Sequence, residues 1–477
     1  MATTIFILIS SFAVFFSKIA SFPLRNWDEA WYAEIIKNMA SGKYGYLMPF
    51  WNGRYYYDHA PLYFWLSTPI FKIFGAGEWQ ARFVSATAAV IAAFLIFKIG
   101  KKLKDETVGF IATLIFLTFA GVVVRFAHGN LDALLICFFL AAFDFYLKSE
   151  EKKIFGFAAG ALIGLGFLIK SWGIGLFPLV LIFMYAFFKD RKLPHNLLLI
   201  VLGTILFSSW WYLWGIFKFG SQFINWYILS PSEGRLTDPF ANFSLEYFRF
   251  FIRDVGFWFL VPFAYVALKF KNIKKLDRNI IIPFLLLAAI FVFFLNFLSD
   301  KSDWYIIPAL SLISLVIGYL ARELYKTYPK LTVGLILLIF LTQILNSKRV
   351  ENIYPDRSKV GATLGLHAKN LIPQSAKIIL NDQDFTSFLF YSDHGQIYTL
   401  ENKTPKENEW WILNSASLAP LLGKNPNTWI ITANLANLPF EVKKEEIIDV
   451  YNNYHFVKIN LTVDSLIVSL IELTIFE

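Results

Sequence analysis

The sequence predicts a polytopic α-helical membrane protein with about eleven transmembrane helices and a C-terminal extracytoplasmic α/β domain. Of the 477 residues, 57% are hydrophobic and 19% aromatic, and the mean hydropathy is +0.52, which is too apolar for a soluble chain of this length. Apolar runs of about eighteen residues, long enough to cross a bilayer, recur along residues 1–346. After Asn346 the composition changes to short, strand-like segments separated by polar residues.

The apolar runs divide the first part of the chain into eleven predicted spans. They are residues 4–21, 81–99, 107–124, 131–147, 154–170, 172–188, 196–217, 255–270, 279–298, 304–321 and 330–346. The run from Ile5 to Ala20 lacks the basic start and the small-residue cleavage site of a secretory signal, so it is kept as a span. Cys137, the single cysteine of the sequence, lies within an apolar run, which excludes an internal disulfide and a Cys-based metal site.

Lysine and arginine residues concentrate in five of the connections between spans, at residues 101–104, 148–153, 189–192, 269–278 and 322–330. Short cytoplasmic loops are enriched in these residues, so the pattern predicts that these connections and the N-terminus are cytoplasmic. Residues 22–80, the 218–254 loop and the chain after residue 347 then lie on the outer face of the cytoplasmic membrane. Most of the net charge of +9 is thus explained by the basic residues of the predicted cytoplasmic connections. We therefore expect no nucleic-acid partner.

The predicted outer loop at residues 22–80 has helical patterns of its own. Asn26 followed by Glu29 is typical of a capping box, and large apolar residues then recur every four positions. This spacing predicts an amphipathic helix over residues 27–40 that lies along the membrane interface, with Asp28 in its first turn. Glycine and proline residues break the chain after this helix, and a second amphipathic segment is expected further along the loop.

Residues 347–477 are predicted to form a compact outer α/β domain with a helix near residues 358–369. Its expected strands are 377–380, 388–391, 410–413, 429–432 and 454–459. Acids and a histidine lie in the loops of this domain, at Asp382, Asp384, Asp393 and His394. Loop residues of these types are more often solvated surface than metal ligands, so we assign no metal site to them.

Ionisable residues at the predicted outer ends of the spans are the candidate functional groups. Asp28 and Glu29 follow the first span, Asp132 lies just inside the fourth, and the Asp300–Asp303 link precedes the tenth. Because charged groups are costly to bury against lipid, such residues usually mark a functional cavity. The alternative is that the acids only form ion pairs that tie helices together. Cations on the same predicted face are His59, Arg82, Arg125, Lys170, Arg235 and Lys301.

Acids and cations together at a membrane interface suit the transfer of a group from a lipid phosphate. One carboxylate would accept the proton of an attacking hydroxyl, while positive groups and phenols, such as that of Tyr305, would hold the departing phosphate. A phosphate leaving group needs no strong general acid.

Seven short motifs occur in an order that resembles one family over residues 1–346. They are Asp28-Glu29-Ala30, Tyr57-Asp58-His59-Ala60-Pro61-Leu62-Tyr63, Ala81-Arg82-Phe83, Asn130-Leu131-Asp132, the Gly166–Gly173 segment with Lys170, Glu233-Gly234-Arg235, and the Lys301–Pro308 segment with Tyr305. The family is the membrane-embedded GT-C glycosyltransferases, in particular the bacterial 4-amino-4-deoxy-L-arabinose transferase and protein O-mannosyltransferase-like group.

This resemblance implies a glycosyltransferase that moves a sugar, with inversion, from a polyprenyl-phosphate donor to a glycolipid, a cell-envelope glycan or a protein. It implies that Asp28 and Asp132 are catalytic. It further implies a donor-binding set of His59, Arg82, Arg235, Tyr305, Lys301 and Lys170, and an acceptor cavity with Glu29, Tyr32 and Tyr57. The family usually has Lys-Pro where this chain has His59-Ala60, and an imidazole is a poorer phosphate ligand than an ammonium group unless it is protonated.

We expect no obligatory metal, because the first loop has no tight Asp-x-Asp pair that would hold Mg²⁺ or Mn²⁺ against a phosphate. A different class, a transporter or flippase of lipid-linked sugars, would also use charged groups within spans. Transporters tend to show two related halves with interrupted spans, and no such halves are evident. A receptor or scaffold that uses the outer domain for binding would need only one or two spans.

Overall fold

The computed structural model of the chain describes residues 1–229, 242–269, 276–351, 358–381, 385–401, 403–405, 409–425 and 427–459. The chain divides into two compact units. The helical unit comprises Met1–Ala20, Tyr46–Pro49 and Tyr57–Pro355, and the sheet unit comprises Ser21–Gly45, Phe50–Tyr56 and Asp356–Glu477. Most of the first half of the 22–80 loop therefore groups with the C-terminal sheet.

In the part of the helical unit that the structure describes, most residues lie in helices. Its α-helices are Ala2–Phe16, Leu62–Phe74, Glu78–Leu103, Glu106–Phe116, Ala120–Phe126, Leu131–Lys148, Ile154–Phe167, Trp172–Gly175, Phe177–Asp190, Leu197–Phe219, Ser221–Phe223, Glu246–Val255, Leu260–Lys269, Arg278–Leu295, Ile307–Tyr325 and Pro329–Glu351. A π-helical turn covers Ile224–Leu229, and 3₁₀ turns cover Gly256–Phe259 and Asp303–Ile306.

Within the described residues, seven helical segments are long and apolar enough to cross a membrane, and the pair Glu106–Phe116 and Ala120–Phe126, bent by 68°, makes an eighth if counted as one span. The fold class of a multi-pass helical membrane protein is confirmed, although helices occur at all eleven predicted positions and not all qualify as spans. Apolar runs extend past the ends of their helices, so that Ala2–Phe16 and Ile154–Phe167 have only 15 and 14 residues. Leu131–Lys148 carries three charged residues.

Glycines allow two of these helices to pack with their backbones in contact. A Cβ atom on Gly160 would lie 2.0 Å from the carbonyl oxygen of Ile200, and one on Gly203 would lie 2.4 Å from that of Phe157. No side chain fits at either position, so helices Ile154–Phe167 and Leu197–Phe219 approach as closely as small residues permit.

The basic connections between helices lie together at one end of the helical unit. Lys102 pairs with Glu151 (3.4 Å), Lys189 with Glu150 (2.6 Å), and Arg322 Nε donates to Asp105 (2.7 Å). Lys269 donates to the carbonyl oxygen of Glu323. All five connections that the sequence assigns to one side of the membrane are joined by these contacts.

The described residues of the sheet unit form two sheets. Its strands are β1 (Phe50–Trp51), β2 (Arg54–Tyr55), β3 (Lys377–Asn381), β4 (Ile397–Leu400), β5 (Ile412–Leu413), β6 (Thr428–Thr432), β7 (Ile447–Tyr451) and β8 (Tyr454–Ile459). β1 and β2 form a small antiparallel hairpin, and the other six form a mixed sheet in the order β5-β4-β3-β6-β8-β7. β3 is parallel to both β4 and β6, whereas β8 is antiparallel to β6 and β7.

The α-helices of the sheet unit are Asp28–Ser41, Ser358–Leu371, Phe385–Ser392 and Ser415–Lys424. The strand predicted at residues 388–391 is wrong, because this segment is part of the helix Phe385–Ser392. Seven of its eight residues are buried, and a continuous apolar run has no periodicity that separates a helix from a strand. The sequence also missed β4 and β7, while the helix near 358–369 and the four remaining predicted strands are present.

The amphipathic helix predicted at residues 27–40 is present as Asp28–Ser41. The predicted capping box is only half formed. Glu29 Oε2 accepts a hydrogen bond from the backbone of Arg25 (2.8 Å), but the Asn26 side chain accepts one from the backbone of Ser387 (2.9 Å) instead of capping its own helix. Tertiary contact with the C-terminal part of the chain has replaced the local cap.

Candidate active site

A buried carboxylate with two cations forms the charged centre of the helical unit. Asn130 caps the helix Leu131–Lys148 by accepting a hydrogen bond from the backbone of Ala133 (3.0 Å), which places Asp132 in the first turn. Asp132 Oδ1 accepts from Lys170 Nζ (2.8 Å), and its Oδ2 accepts from Arg125 Nε (3.0 Å). Both cations and the acid lie at positions that the sequence placed on one face.

Two aromatic rings from the turn Asp303–Ile306 cover these cations. The guanidinium carbon of Arg125 lies 3.9 Å from the ring centre of Trp304, and Lys170 Nζ lies 4.8 Å from that of Tyr305. Such cation–π contacts are strongest where water is excluded. The cluster therefore joins three separate connections of the helical unit into one site.

A cavity of about 310 Å³ opens beside this cluster. It is lined by Asp132, Leu135, Lys170, Ser171, Trp172, Gly173, Ile174, Phe291, Leu295, Leu298, Trp304, Tyr305 and Pro308. Apart from Asp132, Lys170 and the hydroxyl groups, this lining is largely apolar. The cavity thus suits a ligand with an apolar body and a polar group.

The charges of this cluster favour an anion. One carboxylate faces two cations, so the group keeps one net positive charge, and Lys170 keeps two ammonium protons beyond the one it gives to Asp132. Because Asp132 is 6% exposed and both of its oxygens accept from cations, it is poorly suited to remove a proton from a substrate. Its geometry is that of a residue that holds Arg125 and Lys170 in place.

A second ion-pair group joins Asp303, at the start of the same turn, to Arg253 and Asp254, two residues that the sequence did not single out. Arg253 bridges Asp254 (Nε to Oδ1, 2.8 Å) and Asp303 (Nη1 to Oδ2, 2.9 Å). Asp254 is fully buried, and a Cβ atom on Gly121 would clash with its carboxylate. The available signal was the pair Arg253-Asp254 directly before the predicted span 255–270, since ionisable residues at the edge of a span usually have a partner.

The structure does not bring every predicted donor-binding residue into this cavity. Lys301 Nζ instead donates to the backbone carbonyls of Asn242 and Leu298, both at 2.7 Å. Arg82 is 1% exposed and donates to the carbonyl of Ile19 (3.1 Å). His59 does not line the cavity, and Arg235 lies outside the described residues.

Tyr57 is also buried in the helical unit, at 8% exposure, where its ring packs edge-on against Phe219 and Phe223. Its surroundings are those of a packed aromatic cluster. The expectation that Tyr57 contacts an acceptor has no support from this packing.

Asp28, the predicted catalytic acid, is the first residue of the helix Asp28–Ser41 in the sheet unit, where it is half-buried. Glu29 and Tyr32, from the same turn, are 3% and 4% exposed. Trp27 has a φ of 65°, a backbone conformation that bulky residues rarely adopt and that clusters at functional sites. The structure therefore holds an unusual backbone immediately before Asp28.

The loop acids of the sheet unit are engaged by other protein groups. Asp393 pairs with Lys37 (3.1 Å) and Lys369 (3.2 Å), and His394 contacts two backbone carbonyls. Burial alone would raise the pKa of Asp393, but the two lysines hold it below its ordinary value. Among the described residues, no three His, Cys, Asp or Glu side chains are grouped to hold a metal ion. Asp382 and Asp384 lie outside the described residues.

Residues 58–214 match the family model of the dolichyl-phosphate-mannose-protein mannosyltransferases. The undecaprenyl phosphate-alpha-4-amino-4-deoxy-L-arabinose arabinosyl transferase of Aeromonas salmonicida is 30% identical over 199 residues. That alignment covers 39% of this chain and 36% of the relative, so the similarity is confined to about a third of the relative's length.

Solved structures extend the similarity to almost the whole fold. ArnT from Cupriavidus metallidurans, bound to undecaprenyl phosphate, superposes with a TM-score of 0.77 at 14% identity, covering 96% of this chain and 98% of that chain. The apo oligosaccharyltransferase of Archaeoglobus fulgidus superposes with a TM-score of 0.60 at 15% identity, covering 90% of this chain and 69% of that chain.

The family model, the relatives and the shared fold agree with the motifs read from the sequence, and the predicted resemblance is confirmed. Over residues 58–214 the chain is thus similar to the GT-C membrane glycosyltransferases, and its overall fold is that of ArnT.

Proposed function

We propose that this enzyme transfers a sugar, with inversion, from a polyprenyl-phosphate donor such as an undecaprenyl-phosphate sugar to a hydroxyl or phosphate acceptor. The observation that supports it most is the cavity beside Asp132, where Lys170 and the rings of Trp304 and Tyr305 line a space with apolar walls, and Arg125 pairs with Asp132 behind them. A lipid phosphate presents the same combination of an anion and an apolar chain. Relatives named for an undecaprenyl-phosphate donor and an ArnT fold bound to undecaprenyl phosphate point the same way.

In this proposal the phosphate of the donor lies against Lys170 and Arg125, and the phenol of Tyr305 donates a hydrogen bond to it. These groups stabilise the negative charge that develops as the bond between the sugar and the phosphate breaks. The leaving group is a lipid phosphate monoester, which departs without a proton. Asp132 acts as a positioning residue, because it holds the two cations by direct hydrogen bonds.

Asp28 is the proposed general base. An acceptor oxygen attacks the anomeric carbon from the face opposite the phosphate, and Asp28 takes the proton from that oxygen. A single displacement of this kind inverts the anomeric configuration. Arg82, Arg235 and His59 remain proposed contacts of the donor, and Lys301, which is held by two carbonyls, is proposed to order the turn that carries Trp304 and Tyr305.

Glu29, Tyr32 and Tyr57 are proposed to shape the acceptor region through their packing, since all three are buried. The acceptor class that the proposal allows includes glycolipids, cell-envelope glycans and proteins. No obligatory metal takes part in the proposed reaction.

The test is a donor-consumption assay with purified protein in lipid nanodiscs and an undecaprenyl-phosphate sugar. We expect release of undecaprenyl phosphate and a glycosylated product whose anomeric configuration is opposite to that of the donor. Asp28→Asn should remove turnover while the thermal unfolding midpoint stays close to wild type. Glu246→Gln is the matched control, because Glu246 is also a half-buried acid at the first position of a helix.

An intact donor that only moves between leaflets would support the transporter or flippase instead. We also propose that the end of the helical unit with the basic connections faces the cytoplasm. In a Cys137→Ser background, a membrane-impermeant thiol reagent added to spheroplasts should label Tyr46→Cys but not Lys101→Cys. Both positions are exposed.

A further inference from the structure

We infer that the C-terminal part of the sheet unit positions the catalytic base, with Thr386 and Ser387 as the positioning residues for Asp28. The inference rests on the proposed function, in which Asp28 accepts the proton of the acceptor. It assigns a role in the reaction to a domain that has no catalytic motif of its own.

The first evidence is a pair of hydrogen bonds to the two residues that precede Asp28. The backbone N–H of Trp27 donates to Thr386 Oγ1 (2.5 Å), and the side-chain Oδ1 of Asn26 accepts from the backbone N–H of Ser387 (2.9 Å). Thr386 and Ser387 are 1% and 0% exposed. Each bond therefore has one fully buried partner, and together they fix the chain within two residues of the carboxylate.

The second evidence is the backbone of Trp27, with φ 65° and ψ −123°. A tryptophan does not adopt this conformation without support from its surroundings. The hydrogen bond from its own N–H to Thr386 supplies such support. Because this turn sets the direction in which the helix Asp28–Ser41 begins, it also sets where Asp28 points.

The third evidence is that the same two helices are joined along their length. Lys37 Nζ donates to the carbonyl oxygen of Phe390 (3.0 Å) and pairs with Glu34 (2.6 Å) and Asp393 (3.1 Å). The phenol of Tyr391 accepts from the backbone N–H of Leu24 (3.0 Å). The helix that begins with Asp28 is thus held against Phe385–Ser392 at its start and again at Lys37.

These contacts also stabilise the domain. A purely structural role and a positioning role differ in what the loss of one hydroxyl group does to the turnover of the folded protein. Loss of the Thr386 hydroxyl leaves the helices packed but releases the N–H of Trp27. A general base that is misplaced by a fraction of an ångström loses rate without loss of substrate binding. The predicted signature is therefore a lower kcat at an unchanged KM for the donor.

The experiment compares Thr386→Val, Thr386→Ser and Thr399→Val in the full-length protein. Valine has the shape of threonine without the hydroxyl, and serine keeps the hydroxyl. Thr399 is the matched control, because it is a buried threonine of the same sheet unit whose hydroxyl has no hydrogen-bond partner in the described structure. We expect Thr386→Val to lower kcat by about tenfold to a hundredfold at constant KM, with Thr386→Ser and Thr399→Val close to wild type.

Hydrogen–deuterium exchange of the peptide that contains residues 24–31 gives a readout that does not depend on activity. Thr386→Val should speed exchange in this peptide by about tenfold or more, whereas the other two variants should leave it unchanged. If valine at 386 proves poorly folded, Asn26→Ala removes the second bond. Its control is Asn434→Ala, which removes a similar side-chain acceptor elsewhere in the unit.

Four outcomes would contradict either the positioning role or the proposed function. Wild-type kcat and wild-type exchange in Thr386→Val would overturn the positioning role, as would equal losses in Thr399→Val. A fall in thermal stability with unchanged kcat for the folded fraction would also overturn it and leave a purely structural contact. Absence of transfer in the wild-type protein, with Asp28→Asn indistinguishable from it, would instead refute the proposed function, and the exchange data would then test the anchoring by themselves.

Discussion

The two ends of the helix Leu131–Lys148 each carry one buried acid with two cations, yet their surroundings differ. Asp132 at the start pairs with Arg125 and Lys170, and Asp144 near the end pairs with Lys98 (2.8 Å) and Lys148 (2.7 Å). The acid near the N-terminus and the lysine in the last turn both suit the helix dipole.

Exposure and neighbouring groups distinguish the two clusters. The cation side chains are 15% and 12% exposed at Asp132, but 32% and 28% exposed at Asp144. At Asp132 the rings over the cations come from a distant turn and border a cavity. At Asp144 each lysine lies over a phenylalanine of its own helix, Phe94 or Phe145. The same combination of charges therefore forms a candidate binding site at Asp132, where the cations are mostly buried. At Asp144, where the lysines reach solvent, it forms an ion-pair cluster that only holds helices together.

The largest expected difference between the two ends is in the lysines. Lys170→Met removes a proposed phosphate ligand and should lower kcat/KM for the donor by about a hundredfold to a thousandfold. Lys98→Met should change it by less than about threefold, because its cluster is a structural tie. Donor consumption by the two purified variants measures both. Equal losses would show that the lysines act only through stability.

Substitution of Asp132 and of Asp144 should distinguish an effect on activity from an effect on stability. Each Asp→Asn change leaves two cations with a neutral partner, so both variants should unfold at a lower temperature. Only Asp132→Asn should also lower kcat for the folded protein, by about tenfold to a hundredfold. Thermal unfolding and turnover, measured on the same preparations, check this. Wild-type turnover in Asp132→Asn would refute its positioning role.

A smaller effect is expected from the tyrosines whose rings face lysines. Tyr305→Phe removes a hydroxyl that is proposed to donate to the phosphate, which should raise the KM for the donor by about threefold to tenfold. Tyr185→Phe is the control, because Tyr185 lies under Lys189 at the other end, 5.8 Å from ring centre to Nζ. An unchanged KM in Tyr305→Phe would remove that phenol from the donor site.

The smallest expected effect is on the free energy of unfolding and concerns Glu150, which follows the Asp144 end of the helix. A hydrogen bond from Lys189 lowers the pKa of Glu150 below its ordinary value. A pKa that is lower in the folded than in the unfolded protein gives stability that is present above the unfolded pKa and lost as pH falls through the folded pKa. The pair is about half exposed, so Glu150→Gln should reduce the free energy of unfolding by at most about 0.5 kcal/mol.

That difference between wild type and Glu150→Gln should be complete at pH 7 and shrink progressively as the pH falls below about 4. Thermal unfolding midpoints across this range provide the measurement. A difference that grows as the pH falls would contradict the direction of the shift.

Much of the candidate site was predictable from the sequence because buried ionisable groups are rare. Asp132, Lys170 and Tyr305 were identified from acids, cations and phenols at the ends of apolar runs, and the structure brings all three to one cavity. Lys301 was assigned to the same set, but its ammonium group is used by two backbone carbonyls. Side-chain direction at the end of a helix depends on which carbonyls lack partners, and sequence spacing does not reveal that.

The sequence by itself determined the membrane-protein class, the helix positions and the grouping of the basic connections, because hydropathy and charge act locally. Tertiary structure alone decided that the helix beginning with Asp28 folds with strands more than 300 residues away. It also decided that the side chain of Asn26 accepts a hydrogen bond from the backbone of Ser387 instead of capping its own helix. It also decided which acid-and-cation cluster borders a cavity. These outcomes depend on hydrogen bonds and water exclusion between distant segments, and no local pattern encodes them.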